Sequence, residues 1–297
     1  MIFHKLSVLL IVFSLSGLSS CSRENGKPFS RLSSSDDAPS TTESTFVPGT
    51  ISYQSSVDNF GQLTVKVGLD VLPVGNGLAP QLSLNYYSGR ESATILGMGW
   101  QLSDLPSISR CPQTKIYDGT KRVVSFDQGD ALCYNGRRLL LVAGQNLVDH
   151  AEYRLFQDDF SKVVYFAANG STPEHFKVWK KDGEILTFGS SDGTKRISPS
   201  QQTISWCLES VVDRKGNEIT YIYDKGPSDE SLHIEKINYG GNKLFGVAAF
   251  RTVKFNYETA ANPRKTLSSG VSEGQSIRLK SIDLYGDSTV QWTYTFN

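Results

Sequence analysis

From about residue 50 to the end of the chain, apolar side chains recur at every second position and almost never at helical spacing. Leu63, Val65, Val67, Leu69 and Val71 alternate with Thr64, Lys66, Gly68 and Asp70, the pattern of a strand with one face buried and the other wet. The same period carries Leu82, Leu84 and Tyr86, then Ile219, Tyr221 and Tyr223, then Val253, Phe255 and Tyr257, and last Val290, Trp292, Tyr294 and Phe296. Between these runs stand Asp118-Gly119, Asn135-Gly136, Asp182-Gly183, Asp192-Gly193 and Lys215-Gly216-Asn217, mostly pairs that tolerate the positive φ of tight hairpins. The pattern predicts an antiparallel all-β fold in which helices are rare or absent.

Residues 71–89 interrupt it with three glycines, two prolines and no charged side chain. A phosphate-cradling loop would run from its glycines into a helix N-terminus with a cation nearby. Gly75-Asn76-Gly77 leads instead through Leu78-Ala79-Pro80 into the alternating stretch 81–87, so the segment reads as corner and wall, and alanine at Gly75 and Gly77 should cost folding yield. Gly97-Met98-Gly99-Trp100 offers small residues on which an indole can lie. Asp118-Gly119-Thr120-Lys121-Arg122 recurs as Asp192-Gly193-Thr194-Lys195-Arg196. A turn followed by a solvent-facing strand explains both copies better than a duplicated basic phosphate loop does.

The N-terminus departs from this scheme. One lysine within Met1–Lys5, the apolar run Leu6–Leu15, and Leu18-Ser19-Ser20-Cys21 describe an export signal too short to span a membrane. Its end also resembles a bacterial lipobox, which would leave Cys21 lipidated at a new N-terminus; the alternative is an ordinary secretory signal with an incidental cysteine. Ser22 after that cysteine leans toward the outer membrane or cell surface. Residues 22–48, rich in Ser and Thr, are expected to form a disordered tether before a β domain at 49–297.

Charge excludes one class of partner. The chain of 297 residues balances 30 basic against 30 acidic side chains, and Lys121-Arg122 and Arg137-Arg138 are too short to track a phosphate backbone, so no nucleic-acid partner is expected. Export permits a disulfide. Cys111 and Cys133 would close a loop worth roughly 3 kcal/mol and leave Cys207 as the odd thiol, the competing view being three buried thiols. His150, His175 and His233 stand far apart and no CxxC occurs, so no metal and no cofactor is expected. Asp158 with Asp159, and Glu209 with Asp213, are carboxylate neighbours without evident convergence and read as solvated loop charges; no histidine stands in a recognisable relation to a serine. No catalytic residue is assigned. Tyr86, Tyr87, Trp179, Trp206 and Trp292 could make a glycan-binding surface if exposed together, though tryptophans in strands are more often core. Asn169-Gly170-Ser171 reads as a turn.

Several blocks carry a resemblance. Residues 72–86 with Gly75, Gly77, Leu78, Ala79, Pro80, Leu82, Ser83, Leu84 and Tyr86, then Gly97, Gly99 and Trp100, then Arg110 before Cys111, strongly resemble the opening domain of the SpvB family, found in a Salmonella virulence protein and in the TcB components of insecticidal toxin complexes. Residues 130–139 look like the second landmark of that family. Residues 213–224, with Asp213, Gly216, Asn217, Tyr221 and Tyr223, resemble Rhs or YD repeats. The resemblance implies a non-catalytic scaffold, part of a β-shell that encloses or presents a toxic polypeptide, with an Rhs or toxin-complex chain as partner and a lipid anchor to the membrane. ADP-ribosyltransferase activity in such proteins resides in a separate C-terminal domain, and the Glu-x-Glu it would use does not occur here. Arg90–Thr94 is charged and polar where the family is glycine-rich, and the chain stops inside a strand pattern, which reads as a C-terminal truncation relative to the family. A cell-surface module binding a glycan or protein is the alternative.

Overall fold

The computed structural model describes residues 6–7 and 51–296, apart from 76, 91–92, 104, 171, 199, 226–231 and 269–270. Cys21, the lipobox and the tether at 22–48 lie outside the described residues. A two-residue strand, β1 (Leu6–Ser7), lies far upstream of the rest. β2 (Tyr53–Val57), β3 (Leu63–Leu69), β4 (Leu82–Tyr87) and the later β7 (Trp100–Leu102) form an antiparallel sheet in that order, and β5 (Ala93–Thr94) pairs with β6 (Gly97–Met98) as a minimal ribbon.

A second sheet continues with β8 (Ser107–Cys111), β9 (Ala131–Tyr134), β10 (Arg137–Ala143), β11 (Glu152–Leu155), β12 (Lys162–Phe166), β13 (His175–Trp179), β14 (Ile185–Phe188), the short β15 (Lys195–Ile197) and β16 (Thr203–Val212). β8 pairs with β16, and β8 to β14 are joined neighbour to neighbour back to β16. Among the described residues these strands, without β15, therefore close an eight-stranded antiparallel barrel. From β16 the same sheet runs on, open, through β17 (Asn217–Lys225), β18 (Leu232–Asn242), β19 (Arg251–Ser268), β20 (Val271–Gly286) and β21 (Thr289–Thr295), whose outer edge among the described residues carries only the two-residue parallel ladder to β1.

β16 is the joint between barrel and open sheet. On one edge its residues 205–207 pair with β8 and its residues 210–212 with β17; on the other, β15 and β14 divide the strand in the same way. Alternation places Ile108, Tyr153, Val163, Phe176, Phe188 and Trp206 inside the barrel, all essentially without solvent contact. Cross-strand partners such as Phe176 and Phe188, or Trp206 and Ile108, meet there, and the Phe176 ring stands edge-on to the indole at 4.9 Å. The open sheet turns the same apolar face, with Tyr221, Ile237, Tyr239, Val253 and Leu284, toward Leu69, Leu82 and Leu84 of the first sheet, in one continuous core. Two buried phenols stitch the layers: Tyr239 donates to the Leu72 carbonyl at 2.9 Å and Tyr294 to the Asp70 carbonyl at 3.0 Å.

Most of the period-two runs are strands with the expected inner face, but Val290 and Trp292 of the last run remain partly exposed while Tyr294 is buried. Asn135 (φ 49°) and Gly136 (φ 76°) make the β9–β10 turn. Neither copy of the Asp-Gly-Thr-Lys-Arg repeat is a hairpin. Lys115–Asp118 is one helical turn, α1, closed by Gly119 at φ 69°, and Asp192–Thr194 is a 3-10 turn. Nor does the second copy open a solvent-facing strand: Lys195 is buried in β15, its ammonium reaching back to Asp192 at 3.7 Å. Identical residues here meet different tertiary surroundings, which outweigh the local signal.

Candidate functional site

Among the described residues no catalytic groups converge, and the family-like residues and the surfaces they build make the candidate site. In the corner at 71–89, Leu78 and Ala79 pack against the core, and Pro80, Leu82, Ser83 and Leu84 are buried. Gly77 holds φ +81°, whereas Gly75 has neither a positive φ nor a neighbour that a Cβ would meet. Only Gly77 is therefore conformationally required, which narrows the expectation for the pair. Gly97 (φ +101°) and Gly99 (φ +77°) also need glycine, and a Cβ on Gly99 would come within 2.6 Å of the Tyr86 ring. The ring lying on that backbone is thus Tyr86, with Trp100 tilted against it at 5.3 Å. The glycine that an indole does cover is Gly189 (φ +72°), against Trp206 in the barrel, a contact the sequence pattern did not suggest.

Arg110 closes one end of the barrel. Its guanidinium donates to Asp130 Oδ2 at 3.0 Å, to the Asp127 carbonyl at 2.9 Å and to the Thr203 carbonyl at 3.0 Å, and it lies 5.9 Å from the Trp206 ring. Asp130, 2% exposed, also accepts the Ser125 and Phe126 amides at 2.8 and 2.7 Å. Around this pair, Tyr153 donates to Asn146, and Tyr165 and Thr203 donate to the two oxygens of Glu174. Burial pushes the Tyr165 hydroxyl well above the usual phenol range, with the Glu174 carboxylate adding to the rise. This is a satisfied polar plug rather than a reaction centre. A Cys111–Cys133 disulfide spans β8 and β9 beside it, with Cα atoms 5.9 Å apart across 22 positions of chain. Cys207 is a free thiol that burial pushes up to about 11.

In the YD-like block, Asp213 Oδ1 accepts the Lys215 and Asn217 amides at 2.8 and 2.9 Å, while Oδ2 accepts the Asn217 side-chain amide at 2.8 Å. Gly216 at φ +79° completes the turn, and Asn242 donates to Asn217 Oδ1 at 2.9 Å, fastening it to β18. Tyr221 is buried and Tyr223 donates to the Leu208 carbonyl at 2.9 Å.

The remaining carboxylates are engaged structurally. Burial alone would raise Asp159, but Arg137 at 2.8 Å and the Ser161 donors outweigh it and hold the carboxyl below its ordinary value. Asp158 caps the Phe160 amide, and Glu209 Oε2 accepts from Ser190, Ser191 and Thr194, so these acids are not merely solvated. A Gly-x-Ser-x-Gly motif was not expected, yet Gly189-Ser190-Ser191-Asp192-Gly193 has that spacing of a hydrolase nucleophile elbow. The Ser190 hydroxyl donates straight to Glu209 and Ser191 contacts Thr194, with no imidazole interposed. His150 and His175 flank the Phe166 ring at 5.3 and 5.0 Å, and among the described residues no three ligating side chains converge on a metal position. Trp206 is fully buried, Tyr86, Tyr87 and Trp179 are half-buried on β4 and β13, and Trp292 is 37% exposed on β21, so these rings form no common platform.

Comparison with known proteins gives one family. The sequence model described as SpvB, Salmonella virulence plasmid 65kDa B protein, matches residues 58–241. No curated protein matches. Among solved structures, the crystal structure of TcdB2-TccC3 is similar with a TM-score of 0.64 at 20% identity, over 80% of this chain and 14% of that one. The Tc holotoxin pore of Photorhabdus luminescens gives 0.63 at 19% identity, over 80% and 14%. The N-terminal domain of effector protein SpvB from Salmonella typhimurium strain LT2 gives 0.59 at 17% identity, over 74% of this chain and 88% of that one. At these identities the likeness is one of fold, and the chain spans about a seventh of the toxin-complex chains.

Proposed function

The chain belongs to the SpvB family, and from that membership we propose that it is a non-catalytic scaffold domain that helps build a β-shell enclosing or presenting a toxic polypeptide. One observation carries the reading: a single sheet closes into a barrel at one end and runs on open at the other, with one apolar face throughout. Such a sheet can be extended strand by strand, and among the described residues the β21 edge beside exposed Val290 and Trp292 has no partner strand, β1 pairing with Tyr294 and Thr295 alone. The partner is then a toxin-complex or Rhs-type polypeptide that adds to this edge. The same reading takes the protein as exported, lipidated on Cys21, tethered by residues 22–48 and anchored at the outer membrane or cell surface, with the YD-like turn at 213–224 as one repeat of a longer series.

The test is purification of the exported protein from its native cells, with mass spectrometry of the N-terminal peptide and of co-purifying chains. A long toxin-complex or Rhs polypeptide, released when Trp292 and Val290 are replaced by lysine, supports the scaffold. Intact protein that recovers no such polypeptide overturns it. A mature N-terminus that is not an acylated Cys21 overturns the anchor.

A further inference from the structure

Where the open sheet leaves the barrel, its outer face forms a trough. Strand registers align Lys177, Thr187, Ser210, Thr220, Asn238 and Thr252 in one row across six neighbouring strands, β13 to β19 without β15, on the face opposite the core. All six are half-buried although they point away from the core. Four of the six, Lys177, Thr187, Ser210 and Thr220, floor a cavity of about 600 Å³, within the range of small-molecule sites. The hydroxyls of Thr187, Ser210 and Thr220 have no hydrogen-bond partner among the described residues, and all three residues line the cavity.

A β-bulge at Glu209 shapes one wall. Thr187 faces Ser210 but Phe188 faces Leu208, so Glu209 is the extra residue and is aimed at the loop 190–194, whose three donors fix it. Lys243 pairs with Glu218 at 3.6 Å on another wall, and the Lys177 ammonium sits 5.5 Å from the Phe166 ring. Two cations against two carboxylates leave no preference for a charged ligand. The floor is the face of a fully paired sheet, so it offers no backbone groups for strand addition. Small hydroxyl side chains give a peptide no pocket for apolar anchors.

We propose that this trough binds an extended, neutral, β-linked saccharide lying across the strands. Neighbouring strands are about 4.8 Å apart, close to the length of one pyranose unit along an extended chain. The strands from β14 to β19, without β15, then each present one hydroxyl or amide to one sugar, Lys177 closes the β13 end of the row, and Ile222 and Tyr223 at the wall meet the C–H faces of the rings. The site is independent of the scaffold reading and of the edge at β21.

The test is calorimetric titration of the full mature protein with hexaoses of β-1,4-glucan, β-1,4-xylan and chitin, each beside its triose. At least one hexaose should bind, and more tightly than its triose. Ser210→Tyr, which fills the trough, should weaken it by about tenfold or more. Thr187→Val removes only a hydroxyl and should weaken it several-fold with the melting temperature unchanged, whereas Trp292→Ala should leave it intact. Failure of all three hexaoses to bind, or binding indifferent to both trough substitutions, overturns the proposal. So does an extended peptide that binds in their place and is lost with the same substitutions.

Discussion

Replacing Asp130 with alanine should destabilise the barrel more than any surface change. Asp130 is buried and accepts three hydrogen bonds, one of them from an Arg110 whose side chain is 11% exposed. Removing it leaves a guanidinium with little solvent and two amides without their acceptor. Breaking a buried pair by deleting one partner costs about 3–5 kcal/mol. For a domain of this size each kcal/mol moves the melting temperature by roughly 2–4 °C, so the loss should be on the order of 6–20 °C. Thermal unfolding of the purified protein, followed by circular dichroism in the near and far ultraviolet, reads it directly. Arg110→Met alone should also destabilise, but the double variant should cost less than the sum of the two, because no uncompensated charge remains. A melting temperature within 2 °C of the parent protein for Asp130→Ala, or strict additivity in the cycle, would refute the plug as described.

Three further outcomes can be checked on the same material. Reducing the Cys111–Cys133 disulfide, or replacing both residues by serine, should lower stability by about 3 kcal/mol, the loop-closure value for its 22-position separation, measured by urea unfolding with and without reductant. Gly189→Ala must displace the Trp206 indole and adopt a positive φ, so it should cost about 2 kcal/mol or more, whereas Gly75→Ala should be nearly neutral in the same melting assay. Burial, with the Asp70 charge, pushes the Tyr294 hydroxyl up to about 12, so the neutral phenol is favoured in the folded chain. That contribution is complete below about pH 10, the ordinary phenol value, and is lost as pH rises through 12; ultraviolet absorbance of phenolate should rise together with unfolding, not before it.

Local pattern carried the strands but not their closure. Ile219, Tyr221 and Tyr223 announce β17 because a half-buried strand needs only alternation, and Asn135-Gly136 announces its hairpin because two positive φ values need those residues. The pairing of β8 with β16, which makes the barrel, brings together Ile108 and Trp206 from distant parts of the chain, and nothing in either strand alone encodes it. The same limit hid the trough. Thr187, Ser210 and Thr220 are unremarkable in sequence and become a row only once two registers and the bulge at Glu209 are fixed. Asp130 and Arg110 were visible as parts of family-like blocks, but their ion pair follows from the loop 112–130 folding back over the barrel end. Lys195 shows the opposite error: a charged residue beside a turn looks solvated until its neighbours are known.

The position of β16 also sets an order of events during synthesis. Seven of the eight barrel strands precede it in the chain, and they can zip into hairpins as they emerge, yet both outer edges of that curled sheet stay open until residues 203–212 arrive to seal β8 to β14. Contacts of such long sequence separation form slowly. A polypeptide interrupted before that point leaves the ribosome with its interior aromatic residues accessible and two strand edges unpaired, a species prone to aggregate. The last third of the chain then assembles on a finished barrel, each strand laid against the one made just before it.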